Sequence, residues 1–145
     1  MFKKLSFIIC ALALVFFACS STKGGSKSVG IKGVEWKLVS IKDKNSEAQL
    51  TPKGEKIPTL KIEADDSGTD RASGLAGCNR YSSSLTLSGS SIKFGAAVAT
   101  RMFCIENMDI EDAMLDAIAQ TDAYAIKDGK LMLMKGSSIL ATFTK

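Results

Sequence analysis

Residues 73–81, which read SGLAGCNRY, and residues 97–104, which read AVATRMFC, decide the fold of this chain. Each stretch contributes one cysteine, Cys78 and Cys104, and the other two cysteines lie within the first 19 residues. An isolated pair in an exported domain indicates a disulfide, which stabilises a loop of this size by roughly 3–4 kcal/mol. The alternative is a reactive thiol, which requires a base or a cation nearby to lower its pKa. Because neither cysteine lies in a CxxC pattern, we predict a structural disulfide.

Outside these stretches, apolar and polar residues alternate with the period of two that is typical of strands. The alternating apolar residues are Val34, Trp36 and Leu38; Leu60, Ile62 and Ala64; Leu85 and Leu87; and Ile92 and Phe94. The polar turn 88–91 predicts a hairpin between the last two pairs. Asp128 and Gly129 favour the positive φ angles of a type I′ turn, and therefore predict a second hairpin between residues 122–127 and 130–135.

The last strand is predicted at Ser138–Thr144, and one helix is predicted over Asn107–Gln120. The strand would place Leu140 and Thr142 on one face and Ile139, Ala141 and Phe143 on the other. The helix has an apolar face of Ile110, Met114, Leu115 and Ile118, with Asp109, Glu111, Asp112 and Asp116 elsewhere. Asp109 or Asn107 can cap its start. The predicted class is therefore α+β, mainly β: an antiparallel sheet or open barrel of seven to eight short strands packed by one helix.

The order of these motifs resembles the META domain family, also called the HslJ heat-shock type. In that pattern a Trp-x-Leu strand opens the domain, and the G-C-N-R-Y loop and a T-R-M-x-C strand follow. An acidic amphipathic helix and strands with Tyr-x-Ile and Leu-x-Leu complete it. The match covers residues 34–144. The resemblance implies a small bacterial envelope protein, often a lipoprotein linked to heat-shock or antibiotic-stress responses, with no agreed catalytic activity.

The N-terminal segment is interpreted as a lipoprotein signal peptide over residues 1–18. Lys3 and Lys4 precede an apolar run of 14 residues, which is shorter than the roughly 20 that a membrane-spanning helix requires. The run ends in a small residue followed by Cys19, which resembles a bacterial lipobox. We therefore expect diacylglycerol on Cys19, and the alternative is a conventional cleaved signal. Ser20 in place of Asp resembles lipoproteins sorted to an outer membrane, facing the periplasm.

Behind Cys19, residues 19–33 are predicted to form a flexible tether, because serine, glycine and lysine dominate and almost nothing can be buried. Residues 34–145 are then the single META (HslJ-like) domain. No internal repeat divides it, and we expect a monomer.

Composition excludes several classes of function. The chain of 145 residues contains no histidine, so no Ser-His-Asp or Cys-His pair and no imidazole metal ligand can exist. Its net charge of +4 is small and dispersed, and no nucleic-acid-binding signature is present. We expect no enzyme activity, no metal and no cofactor.

Asn79, Arg80 and Arg101 are the candidate structural or ligand contacts in the two motifs. The favoured interpretation is that an arginine pairs with a carboxylate or the backbone and braces the disulfide loop, and the alternative is recognition of an anionic ligand. Asn79 would suit a left-handed tight turn. Met132 and Met134 could suggest copper(I), but core filler is favoured. Residues 65–70 resemble a calcium loop without its terminal Glu, so a polar turn is favoured.

The expected function is non-enzymatic: a lipid-anchored envelope protein that acts in stress through contact with an unidentified envelope protein or a small ligand. One alternative is a carrier of a hydrophobic ligand, held in a pocket between the sheet and the helix. A second alternative is a thiol-redox protein that uses Cys78 or Cys104.

Overall fold

The computed structural model describes residues 30–145. The predicted signal peptide, the predicted lipid attachment at Cys19 and the tether up to residue 29 lie outside the described residues. Within residues 30–145, no helix is both long enough and apolar enough to cross a membrane.

The described part of the chain forms one antiparallel barrel with a single helix. Its elements are β1 (Glu35–Lys42), β2 (Gln49–Leu50), β3 (Thr59–Ala64), β4 (Asp70–Leu75), β5 (Arg80–Ser88), β6 (Ser91–Phe94), β7 (Val98–Ala99), α1 (Met108–Gln120), β8 (Ala123–Lys127), β9 (Lys130–Lys135) and β10 (Ser138–Thr144). The eight longer strands follow the order β10-β9-β8-β6-β5-β4-β3-β1, while the short β2 and β7 pair with β1 and β5.

The predicted class and strand number are confirmed, but the barrel is closed rather than open. β1 pairs with β10, with Lys37 opposite Thr144 and Ile41 opposite Ala141. This pairing joins the first strand to the last, so neither keeps a free edge along this seam. Local periodicity carries no information about a contact between strands this far apart in the chain.

The barrel interior is filled by the apolar residues that alternate along the strands. Trp36, Leu60, Leu133 and Phe143 are fully buried and belong to one cluster that also includes residues of α1. Each large apolar side chain buried in this way contributes roughly 1.5–3 kcal/mol. Met132 and Met134 alternate with these core residues and lie half-buried on the outer face of β9, so their interpretation as core filler is wrong.

The last strand has the predicted bounds but not the predicted faces. Leu140 and Ala141 are both buried although they are adjacent, and Ile139 is exposed. The pairing of β10 with β9 shifts register between Ile139 and Ala141. Such a bulge inserts one residue and breaks strict alternation, which explains the difference.

The tight turn between β8 and β9 is confirmed by its backbone. Asp128 has φ of 52° and Gly129 has φ of 74°, as a type I′ turn requires.

The helix begins one residue later than predicted, and the predicted side-chain cap is wrong. Asn107 occupies the N-cap position with a left-handed φ of 62° and makes no capping hydrogen bond. Its side-chain amide instead exchanges two hydrogen bonds with the backbone of Lys53, at 2.8 and 3.1 Å. The helix start is therefore fixed to the loop between β2 and β3.

The folded domain begins before the predicted boundary at Val34. Ile31 is 4% exposed and packs in the core, and its carbonyl accepts a hydrogen bond from the Trp36 indole at 3.0 Å. The backbone N–H of Gly33 donates to the carbonyl of Ile62 at 2.9 Å. Residues 31–33, which the sequence assigns to the tether, are therefore part of the folded domain.

Candidate functional site

The candidate site is built around the disulfide between Cys78 and Cys104, which the structure contains as predicted, with a Cα–Cα distance of 5.9 Å. Cys78 lies in the turn of residues 76–79 that joins β4 to β5, here called the cysteine turn. Cys104 lies in the segment of residues 98–105, here called the apolar loop. The bond thus connects two segments 26 residues apart at one end of the barrel.

The expected strand over Thr100–Cys104 is wrong. Only Val98 and Ala99 form a strand, and the rest of the apolar loop has no regular structure. Its backbone is held by other bonds. The N–H of Thr100 donates to the carbonyl of Arg80 at 3.0 Å, and both polar groups of the Met102 backbone bond to Asn79.

Asn79 is the centre of this end of the barrel and is 1% exposed. Its side-chain Nδ2 donates to the carbonyl of Met102 and to the Glu111 carboxylate, both at 2.8 Å. Its Oδ1 accepts from the Thr100 hydroxyl at 2.8 Å and from the Met102 N–H at 2.7 Å. All hydrogen-bonding positions of the amide are filled from within the protein. Asn79 is therefore structural, and no free position remains for a ligand.

The predicted reason for Asn79 is wrong. Among residues 30–145 the positive-φ residues other than glycine are Asn107 and Asp128, so Asn79 does not supply a left-handed turn. Asparagine suits this position because its side-chain amide donates two hydrogen bonds and accepts two.

Glu111 is the functional-site residue that the sequence interpretation missed, because it was placed on the polar side of the helix. It is 5% exposed. Its Oε2 accepts from the N–H of Cys78 at 3.0 Å and of Asn79 at 2.7 Å, and its Oε1 accepts from the Asn79 amide. A buried carboxylate is tolerated when hydrogen bonds replace its water. A usable signal existed: Glu111 lies four residues from both Asn107 and Leu115, on one side of the helix.

We call these contacts of Asn79, Glu111, Thr100, Met102 and the Cys78 N–H the Asn79–Glu111 network. Gly77 allows the start of α1 to come close to the cysteine turn, because glycine has no side chain there. A Cβ at Gly77 would lie 2.5 Å from the carbonyl oxygen of Asn107 and 3.1 Å from the N–H nitrogen of Glu111. The start of α1 therefore packs directly on the cysteine turn.

The predicted arginine clamp is wrong. Arg80 and Arg101 are exposed, and neither guanidinium has a hydrogen-bond or ion-pair partner within the described chain. The physical reason is that amide N–H groups already satisfy Glu111, the α1 carboxylate that packs on the cysteine turn, so no cation is required there. A ligand role for either arginine stays a prediction.

The apolar loop exposes most of its apolar side chains. Val98 is 71% exposed, Met102 59%, Phe103 86% and Ile105 96%. Contiguous apolar exposure of this kind marks an interaction surface in soluble domains. The same loop is fixed at its backbone by the disulfide and by the Asn79–Glu111 network, so the apolar side chains are presented on a rigid support.

The loop at residues 65–70 is a polar turn, as the sequence favours. Asp65 accepts from the backbone N–H of Ser67 at 2.9 Å and of Thr69 at 3.0 Å, and from Nε of Arg71 at 3.0 Å. Hydrogen bonds from the Ser67 hydroxyl and the Arg71 guanidinium lower the pKa of Asp65 to about 2.

Comparison with known proteins supports the assignment made from the motifs. The family model described as META domain matches residues 29–145. A solved NMR structure of a protein from Burkholderia xenovorans is 26% identical, with a TM-score of 0.65, over 79% of this chain and 82% of that one. A second NMR structure is 16% identical with a TM-score of 0.53, over 75% and 86% of the two chains, and shows the fold alone. No curated protein matches significantly.

Proposed function

Because this chain belongs to the META domain family, we propose that it is a non-enzymatic, lipid-anchored protein of the bacterial envelope whose barrel is an interaction module in envelope stress. The anchor would be diacylglycerol on Cys19 after removal of residues 1–18, and the site of action the periplasmic side of an outer membrane. The protein would be a monomer. The proposed stress role, and the proposed likeness to HslJ-type heat-shock proteins in particular, are based on the resemblance of the sequence motifs.

The observation that carries the interaction role is the apolar loop. A domain with a filled core gains nothing for its own stability from Phe103 and Ile105 when they are 86% and 96% exposed. The chain nevertheless holds them at a defined place with a disulfide and a buried carboxylate. A loop backbone held in this way lowers the entropy cost of binding, because the binding surface is already ordered before the partner arrives.

The two alternatives receive less support. A carried hydrophobic ligand would occupy the space between barrel and helix, but Ile110, Met114 and Ile118 of α1 are buried in the same cluster as the barrel residues. A thiol-redox role would require an accessible sulfur. Cys78 is 4% exposed and its sulfur contacts the Met102 carbonyl, so only the half-buried Cys104 offers access.

The anchor is tested by metabolic labelling with palmitate. Wild-type protein should carry the label in the membrane fraction, and Cys19→Ala should carry none. Label that persists in the variant would contradict the anchor, whatever the barrel binds.

The interaction role is tested by complementation of a deletion strain under antibiotic or heat stress. Wild type should restore survival, whereas the double variant Phe103→Ser, Ile105→Ser should not. Val39→Ser serves as the matched control, because Val39 is also a surface apolar residue but lies on β1, at 39% exposure. Equal survival with the double variant and the control would contradict the role of the loop.

A further inference from the structure

We propose that the apolar loop docks the barrel on a phospholipid bilayer, with Phe103 and Ile105 in the headgroup region and Arg80 and Arg101 on lipid phosphates. This inference rests on the proposed function, and names the surface that the interaction module contacts. The membrane contact would be a second one, separate from the acyl chains on Cys19, and would set the orientation of the domain.

The first argument is the shape of the apolar loop. A side chain that is 96% exposed, as Ile105 is, touches almost nothing of its own protein, and Phe103 at 86% is similar. These two side chains flank Cys104 and border two open hollows of the surface, Phe103 beside α1 and Ile105 beside residues 54–56, and at their exposure neither side chain is enclosed by the protein. A partner must therefore surround them. A bilayer does so without a preformed pocket, because its interfacial region accepts apolar side chains at any position.

The second argument is charge. Arg80 begins β5, and Arg101 lies in the apolar loop beside a hollow that it shares with α1 residues, and within residues 30–145 neither guanidinium has a protein partner. Arginine pairs with phosphate through parallel hydrogen bonds, and phosphates cover both zwitterionic and anionic bilayers. Around the hollow that Ile105 borders, the positive charges of Lys53 and Lys56 are balanced by Glu55 and Glu106, all of them exposed. Asp109 is exposed at the start of α1, and Asp112 is paired with Lys44.

The third argument is the reach of the chain before the barrel. Gly30 borders the same surface hollow as Gly89 and Ser90, at the end of β5 that is opposite to Arg80 and the apolar loop. The nine residues of β5 span roughly 26 Å at about 3.3 Å per residue. Gly30 is eleven residues after Cys19, and at about 3.3 Å per residue covalent geometry allows this stretch to span up to about 36 Å. A chain anchored at Cys19 is thus long enough to let the far end of the barrel meet the same membrane.

The direct test uses lipids that carry bromine on their acyl chains and quench nearby tryptophan. The full chain is produced in bacteria, purified in its acylated form and reconstituted into vesicles of phosphatidylethanolamine and phosphatidylglycerol. Trp36 is the only native tryptophan and is fully buried, so it supplies a constant background. Phe103→Trp places an indole on the apolar loop, and the matched Ser90→Trp places one at the opposite end, next to Gly30.

We expect brominated lipid to quench F103W, with a blue shift of its emission, and to leave S90W at the level of the parent. Stronger quenching of S90W would mean that the opposite end faces the membrane, and would overturn the proposal. Parent-level quenching of both variants would also overturn it, and would leave a protein as the partner of the loop.

A second variant separates the role of the loop from that of the anchor. Ile105→Asp in the F103W background should abolish the quenching, because a carboxylate opposes insertion. Val39→Asp in the same background should retain it. Palmitate label present in all these variants, with no quenching of F103W, would refute the docking proposal while the lipid anchor stands. An absence of label would instead refute the anchor.

Discussion

Each end of the barrel has a carboxylate that bonds the backbone of a turn, but the two carboxylates differ in burial and in the distance along the chain to their partners. At the turn of residues 65–70, Asp65 is bonded by partners within six residues and remains near solvent. At the cysteine turn, Glu111 is buried and bonded by groups 32 and 33 residues away. A local arrangement shapes one hairpin, whereas the long-range arrangement joins three segments of the chain. The difference indicates that the cysteine turn and the apolar loop depend on the same contacts, so that a change that disrupts one segment should disrupt the other.

The largest effect is expected from Glu111→Ala. The substitution removes one acceptor group from three N–H donors and leaves them buried, which costs about 3–5 kcal/mol. Glu111→Gln should also destabilise the protein, because its NH₂ group must face either the Asn79 amide or a backbone N–H. Urea unfolding of the disulfide-intact proteins measures the change. A loss below that of the exposed control Asp109→Ala would show that the buried carboxylate is not structural.

The next effect is expected from removal of the disulfide in the double variant Cys78→Ala, Cys104→Ala. Loss of the cross-link should lower the free energy of unfolding by about 3 kcal/mol. Because the Asn79–Glu111 network holds the same two segments, the native fold should survive at moderate temperature. Near-ultraviolet circular dichroism of Trp36 reports the fold, and thermal unfolding reports the loss. A variant that unfolds at room temperature would show that the network alone does not hold the loop.

The smallest effect is expected from Asp65→Asn, and it should depend on pH. The folded pKa of Asp65 is about 2, below its ordinary value of 3.8, so the charged form is favoured in the native state. The stabilisation is therefore present above about pH 4, and is lost as the pH falls towards 2. Wild type should be slightly more stable than the variant at pH 7, and the two should converge near pH 2. A difference that stays constant over this range would contradict the account of the turn.

The sequence predicts those features that depend on neighbouring residues. Period two places the strands, and Asp128-Gly129 sets the hairpin between β8 and β9. The pair of cysteines also predicts the disulfide correctly, because no other cysteine is available in the domain.

The features that were missed depend on contacts between distant segments. The burial of Glu111 requires the cysteine turn to pack on the helix, and a carboxylate in a helix ordinarily faces water. The bulge at Leu140 and the closure of β10 on β1 are set by strand register, which local alternation does not encode. Arginines beside a tight turn predict a charged clamp, but at the cysteine turn backbone amides bond the carboxylate instead.

The central claim is that a buried network holds the apolar loop rigid while its side chains stay in solvent. Amide hydrogen exchange of the native protein, followed by NMR, tests it most directly at Met102. The Met102 N–H donates to Asn79 Oδ1 at 2.7 Å, although the Met102 side chain is 59% exposed. We predict that this amide exchanges as slowly as those of β5, together with the N–H groups of Cys78 and Asn79. Exchange at the rate of an unstructured peptide would contradict the account.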